Sequence, residues 1–336
     1  ALQPVDIIAI PYKIMAKIVC LDGVTIYPVG DSRWGRFTDF ADFEVYDRTE
    51  ESQIVERCAG AEMVLTNKVP FSADTIAALP SLKYIGVLAT GYNIVDTDAA
   101  AKAGIVVTNI PAYSTRSVAQ TAISLLLAIT NRVEHYAAAN ARGKWAQCSD
   151  FTYRDFDWTE LAGKTFGVIG FGNTGSATAA IAASLGMKIA VYTSKDESQL
   201  PVGYVKMPLE EIFASADVVS LHCPLTDSTR ALVNADTIGH MKPSAILLNT
   251  SRGPVVDEAA LASALNEGRI AAAGLDVLSQ EPPAADCPLL TARNCFITPH
   301  LAWASVEARE RLFEIALGNI QAYMGGNPVN VVNRPV

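Results

Sequence analysis

The chain has 336 residues, half of them hydrophobic and 18% charged, with a formal net charge of −9. That composition supports buried cores large enough for two domains and argues against extended disorder. The acidic balance and the lack of a long basic run disfavour nucleic acid and anionic membrane as partners, while a small anionic substrate held by a local field stays open. No apolar run is long enough to span a bilayer.

Met15-Ala-Lys-Ile-Val-Cys-Leu-Asp-Gly reads as a natural start running into a first strand, so residues 1–14 are read as an extension without function. Asp6 interrupts the short apolar run Val5–Ile10, which argues against a signal peptide. Short β-branched runs follow at Lys17–Leu21, Met63–Leu65, Tyr84–Ala89 and Ile105–Thr108, separated by helical spacing such as Ser72–Leu79 and Thr97–Ala103. Strand alternating with helix predicts a parallel sheet covered on both faces, ending near Pro111. A long helix is expected over Ser117–Asn140, apolar nearly all round, and a loop over Gly143–Thr159. A second α/β series then begins, with strands expected at Thr165–Ile169, Lys188–Tyr192, Val218–His222, Ala245–Asn249, Ala272–Val277 and Cys295–Thr298. Six strands with intervening helices match a complete doubly wound sheet. A last helix is expected over Ser305–Met324.

The second series opens with Gly170-x-Gly172-x-x-Gly175 between an apolar strand and an Ala-rich helix. In that setting the first glycine makes a tight turn, the second lets backbone approach a pyrophosphate, and the third lets helix and strand pack closely. The helix N-terminus adds free N–H groups and a positive dipole end. Eighteen residues past Gly175, where an acid would accept from the adenosine ribose and repel a 2′-phosphate, stands Thr193, followed by Ser194 and Lys195. Neutral donors and a positive charge suit a 2′-phosphate, so NAD(P) is expected with NADP(H) somewhat favoured, preferred or shared, or else this is an ordinary strand exit with loose cofactor choice. Asp196 leaves alternatives open: it bends back and serves as the missing acid, or it weakens phosphate binding.

Pointed polar residues gather after later strands: Arg252 in LLNTSRGPVVDE, Asp276 and Glu281 in AAGLDVLSQEPP, and His300 in CFITPHLAWAS. In open α/β sheets the ligand lies beyond the carboxyl ends of the strands. Arg252 offers a planar fork to a carboxylate, or else pairs with Asp257 or Glu258. His300 suits general acid/base work, or else caps or packs. Glu281 orients and charges the imidazole, or else is a solvated residue before two prolines. Trp303 walls a pocket or packs in a core. His135, His222 and His240 compete poorly, lying in the long helix, in a strand-end turn and at a helix end. The six cysteines form no CxxC pair and no zinc spacing, so a metal is not expected and a reducing cytoplasm is.

VIGFGNTG, NTSRGPVVDE, GLDVLSQEP and TPHLAWAS, with the earlier ATGYNIVDTDAAAKAGIVVTNIPAYSTRSVAQ, together resemble the D-isomer-specific 2-hydroxyacid dehydrogenase family over nearly the whole chain from Met15. LATGYNIVD, PAYST and TPHLAWAS look most like its glycerate dehydrogenase, or hydroxypyruvate reductase, branch. The resemblance implies a Rossmann nucleotide domain, residues 112–299, inserted in a flavodoxin-like substrate domain, residues 15–111 and 300–336. It places the active site between them, with closure excluding water. It also implies a homodimer, with the long helix and the Gly143–Thr159 loop in the interface.

For the site, the resemblance implies that His300, partnered by Glu281, is the general acid/base, and that Arg252 binds the substrate carboxylate and carbonyl oxygen. Backbone N–H groups of Thr90 and Gly91 would bind the carboxylate's other face, with Thr90 and His300 also near the cofactor. Asn173 and Thr174 would approach the pyrophosphate, Cys223 and Pro224 the adenosine, Thr250 and Ser251 the nicotinamide ribose, and Asp276 the nicotinamide amide. Hydroxypyruvate or D-glycerate is the expected substrate, with glyoxylate or glycolate next. D-Lactate and phosphoglycerate are alternatives, the latter less favoured for want of an extra basic cluster. Some relatives act instead as dinucleotide-sensing corepressors; turnover with a 2-oxoacid separates the two roles.

Overall fold

The computed structural model describes residues 16–333, so the reading of residues 1–14 falls outside it. The chain divides into two compact units, one running to Tyr113 and resuming at Val306, the other spanning Ser114–Ser305. His300 and Trp303 therefore belong to the second unit, because the segment after the last strand stays tied to that sheet through Asp276.

The first unit is built on five parallel strands: β1 (Lys17–Cys20), β2 (Asp42–Val45), β3 (Met63–Thr66), β4 (Tyr84–Val87) and β5 (Val106–Thr108). Their order, 2-1-3-4-5, is the flavodoxin order. The sequences of β3 and β4, MVLT and YIGV, are buried throughout, as strands covered on both faces require. β2 reads DFEV, alternates exposed and half-buried residues, and lies at the sheet edge, which short charged strands protect from further pairing. The returning helix Val306–Met324 buries Ala308, Leu312, Phe313, Ala316, Leu317 and Ile320, a stripe at helical spacing. Phe313 meets Tyr27, Trp34 and Phe37 edge-on at centroid distances of 5.8, 5.5 and 5.2 Å. Such pairs contribute about 1 kcal/mol each beyond their burial. Arg311 Nε donates to Tyr113 O (2.8 Å) and Asn319 Nδ2 to Asn109 O (2.9 Å), fixing the helix along its length.

The second unit carries seven parallel strands: β6 (Thr165–Ile169), β7 (Lys188–Tyr192), β8 (Val205–Lys206), β9 (Val218–Leu221), β10 (Ile246–Asn249), β11 (Ala272–Leu275) and β12 (Cys295–Ile297). Their order is 12-11-10-9-6-7-8. The chain starts in the middle at β6, winds outward through β7 and β8, then returns to β9 on the other side. That reversal opens a crevice at the carboxyl ends of β6 and β9, where ligands of this architecture bind.

The single long helix expected over Ser117–Asn140 is two helices, Thr115–Asn131 and Val133–Ala141. Arg132 breaks them in the left-handed region, at φ 51°. Tertiary contacts hold it there: its guanidinium lies 4.7 Å from the Phe296 ring and 5.2 Å from Phe156, and Nη2 donates to Asn294 Oδ1. Among the described residues, no helix is long and apolar enough to cross a membrane.

Candidate active site

β6 delivers the chain to Gly170, whose φ of +94° turns it sharply under the end of β9. A Cβ there would stand 2.6 Å from Cys223 N, and one on Gly175 would stand 2.1 Å from Gly170 O. Both positions therefore require glycine, the first for the turn and the second for helix-on-strand packing. Gly172 is different, since a Cβ there meets none of the described residues within 4 Å. Gly172 is also the N-cap of the helix Asn173–Ser184 and supplies no side-chain cap. The first-turn N–H groups at Asn173 and Thr174 thus lack a capping side chain and begin beside open space. Thr250 Oγ1, just past β10, is buried with no hydrogen-bond partner among the described residues. An open glycine, an uncapped helix N-terminus and an orphan hydroxyl fit the pyrophosphate and sugar hydroxyls of a dinucleotide.

Beside this loop, β9 runs into His222, Cys223 and Pro224. Cys223 is buried against the glycine turn and Pro224 is exposed. The half-buried His222 shares a 2.8 Å hydrogen bond with Ser220 Oγ. Burial pushes its imidazole down to about 4, so it is neutral at neutral pH.

Thr193, Ser194 and Lys195 follow β7 directly. Thr193 is half-buried, and its Oγ1 accepts from Lys195 N at 3.2 Å. Asp196 does not fold back. It forms a capping box with Gln199 at the start of a short helical turn, its side chain accepting from the Gln199 backbone. Lys195 Nζ instead lies 5.4 Å from the centroid of Phe171, inside the glycine loop. A second cation, not anticipated from the sequence, joins it: Lys206 pairs beside Val191 in the sheet, and its Nζ donates to Lys195 O at 2.6 Å. Two hydroxyls and two ammonium groups thus share this strand end, with its nearest acid turned to its own helix.

Arg252, Glu281 and His300 all leave strands of the same sheet at its carboxyl edge. Asn249 closes β10 and organises the turn after it, accepting from Ser251 N and Oγ and donating from Nδ2 to Arg252 O. Arg252 itself is extended, with Nη1 donating to Ser251 O (2.7 Å). Among the described residues it forms no ion pair with Asp257 or Glu258, because Asp257 caps its helix at Ala260 N and Glu258 accepts from Ser279 N. Glu281 Oε2 lies 2.5 Å from His300 Nδ1, while its Oε1 accepts from Leu278 N at 3.0 Å. A carboxylate at Nδ1 fixes the ring's orientation and leaves Nε2 as the atom that exchanges a proton with a ligand.

His300 sits in a left-handed turn, φ 50°, which its neighbours must stabilise. Asp276 does most of this. Its main-chain oxygen accepts from His300 N (2.8 Å). Its carboxylate accepts from Thr298 Oγ1 (2.6 Å), Leu301 N and Ala302 N (both 3.0 Å). Burial pushes this carboxyl up from its ordinary value, and the three donors and the nearby His300 pull it back only in part. Trp303 follows, half-buried, in the same segment. Thr90 and Gly91 belong to the first unit, in the bend after β4, where Thr90 Oγ1 donates to Ile110 O and Thr90 O accepts from Asn109 Nδ2. His135 pairs with Asp155 (2.8 Å) and His240 lies near Asp236, so neither joins this edge of the sheet.

A glycine loop at the switch point of a seven-stranded Rossmann sheet, with an arginine and a carboxylate–histidine pair on its carboxyl edge, defines a dinucleotide-dependent oxidoreductase. Residues 123–302 match the family model described as D-isomer specific 2-hydroxyacid dehydrogenase, NAD binding domain. Hydroxypyruvate reductase of Blautia hydrogenotrophica is 44% identical over 95% of this chain and 100% of its own length. Glycerate dehydrogenase of Methylorubrum extorquens is 40% identical, covering 94% of this chain and 98% of that one. Among solved structures, an NADPH-dependent glyoxylate/hydroxypyruvate reductase from Sinorhizobium meliloti, in complex with NADP and malonate, superposes with a TM-score of 0.83. It is 29% identical and covers 95% of this chain and 98% of its own. The chain belongs to the D-isomer specific 2-hydroxyacid dehydrogenase family.

Proposed function

We propose that this enzyme reduces hydroxypyruvate to D-glycerate, with glyoxylate as a second substrate and NADPH as the preferred donor. The 2.5 Å contact between Glu281 and His300 Nδ1 carries the reading. A nicotinamide dinucleotide held at the glycine loop would supply the hydride for C2 of the 2-oxoacid. His300 Nε2 gives its proton to the carbonyl oxygen as negative charge develops there, and in the reverse direction takes it back. Glu281 holds the ring at Nδ1, so that Nε2 faces the ligand. Arg252 binds the carboxylate and carbonyl oxygen, polarising the carbon under attack. Thr90 and Gly91 are assigned to the carboxylate on the strength of the family resemblance, and Trp303 to the wall that limits substrate size. The unit with the glycine loop is assigned to the nucleotide and the other unit to the substrate. Asn173 and Thr174 would hold the pyrophosphate, Cys223 and Pro224 the adenosine, and Thr250 and Ser251 the ribose. The acceptor capacity left on Asp276 suits the nicotinamide amide.

The NADPH preference rests on Thr193, Ser194, Lys195 and Lys206 at the end of β7 and on the capping role of Asp196. The relatives named hydroxypyruvate reductase and glycerate dehydrogenase support the substrate. Six unpaired cysteines support a cytoplasmic setting. A homodimer is proposed through the second unit's exposed apolar residues, among them Val133 (63% exposed), Phe151 (89%) and Trp158 (59%), a density that marks a protein interface. Initial rates with hydroxypyruvate, glyoxylate and pyruvate, each with NADH and NADPH, test the reading. Fast hydroxypyruvate reduction with NADPH is expected. Turnover with NADH alone would remove the cofactor preference, and no turnover with any pair would remove the reaction.

A further inference from the structure

We infer that Glu258 is a positioning residue that staples both ends of the loop bearing Glu281, and so sets the Glu281–His300 contact. The inference rests on the role proposed above for that pair. Glu258 opens the helix Glu258–Asn266, yet its carboxylate is not spent on that helix, because Asp257 already caps Ala260 N. It reaches outward instead. Oε1 accepts from Ser279 N at 2.6 Å, and Oε2 accepts from Cys287 Sγ at 3.9 Å. Ser279 and Cys287 bound the segment that carries Glu281, and no helix or strand lies within it. Most of its residues are exposed, so burial does little to hold it. Leu278 and Leu289 are buried just outside its ends, and the Glu258 carboxylate ties it between them.

The staple also links two parts of the site. Gly253, next to Arg252, lies so close to the Leu278–Ser279 peptide that a Cβ there would stand 1.9 Å from Leu278 C. Glu281 Oε1 in turn accepts from Leu278 N. The segment from Arg252 to Glu258 thus grips the start of the Glu281 loop twice, once by backbone contact and once by a carboxylate. Two carboxylates act on His300: Glu281 at Nδ1, and Asp276 under its turn. Only Glu281 depends on the staple.

The test compares wild type, Glu258→Ala and Glu258→Gln, with hydroxypyruvate and NADPH as the probes. For Glu258→Ala, kcat is expected to fall about 10-fold or more, as misplacing a catalytic partner by a fraction of an ångström does. The NADPH Kd is expected to stay within about twofold, since the staple lies outside the glycine loop. Glu258→Gln keeps an oxygen for Ser279 N and is expected to recover most of kcat. A kcat for Glu258→Ala within about twofold of wild type would overturn the inference. So would equal losses in kcat and in NADPH binding alongside a lowered Tm, since that pattern marks a general folding defect.

A second readout does not need turnover. The chain has four histidines, so the His300 ring resonance is assignable by its loss in His300→Ala. It is expected to shift in Glu258→Ala and to return toward wild type in Glu258→Gln. An unmoved resonance would overturn the inference even if the wild-type enzyme turned over none of the 2-oxoacids, an outcome that by itself counts only against the proposed reaction.

Discussion

Gly253→Ala should disable the enzyme without touching a catalytic side chain. The added methyl would stand 1.9 Å from Leu278 C, 2.1 Å from Leu278 O and 2.3 Å from Ser279 N. All three are backbone atoms, so no rotamer change relieves the clash. Ordinary contact begins near 3.4 Å, so the Leu278–Ser279 peptide must retreat by about 1.5 Å. Glu281 is bound to Leu278 N and would move with it, which takes a 2.5 Å contact with His300 out of hydrogen-bond range. The expected loss in kcat is about 100-fold, with about 1–3 kcal/mol of destabilisation from overpacking. The assay is hydroxypyruvate reduction at saturating NADPH, with Tm measured in parallel. Gly239→Ala is the control, because a Cβ there meets none of the described residues within 4 Å. If Gly253→Ala kept kcat within about threefold of wild type, the loop would not set the catalytic contact.

Three other outcomes are expected. Thr193→Asp places a carboxylate where a 2′-phosphate would sit, and should lower the NADPH/NADH ratio of kcat/KM by at least about 10-fold; an unmoved ratio would refute the strand-end reading. His300→Ala should cut kcat by about 10²–10⁴-fold while NADPH binding, measured by fluorescence, survives; a near-wild-type rate would remove His300 as the proton donor. His222 is held at about 4 against an ordinary 6.5, so the fold prefers its neutral form. Its contribution is therefore complete above pH 6.5 and is lost as pH falls toward 4, by at most about 3 kcal/mol. Urea unfolding of wild type and His222→Gln between pH 7 and 4.5 should show their stability difference changing below pH 6.5. A constant difference would refute that linkage.

Burial decided how much of the fold was legible in the sequence. Strands such as β3, β4 and β10 are covered on both faces, so their apolar runs stand out against any neighbour. β2 and β8 are edge strands, four and two residues long with exposed or half-buried positions, and carry no such signal. The break at Arg132 was equally silent, since no glycine or proline marks it and the rings that hold it come from Phe156 and Phe296. In the site, strand-end position singled out Arg252, Glu281 and His300, because polar residues after apolar runs are conspicuous. Lys206 escaped because its strand is too short to see. Glu258 was visible only as a partner for Arg252, since its reach to Ser279 depends on a loop whose path has no periodicity. Asp276 showed as a strand-end acid, but its grip on the His300 turn needed coordinates.

The discontinuity of the first unit governs how this chain can mature on the ribosome. Ser114–Ser305 is an uninterrupted stretch, so the dinucleotide unit holds everything its core needs once that stretch has emerged. The five-stranded unit is translated earlier but finishes later. Tyr27, Trp34 and Phe37 must wait for Phe313, which arrives nearly 300 residues behind them. During that interval an apolar, aromatic surface near the start of the chain is uncovered, and a nascent polypeptide stalled before residue 306 would present it to chaperones and proteases. The helix Val306–Met324 therefore acts as a completion signal: until it docks, the unit whose synthesis begins earlier stays open longer than the one translated after it.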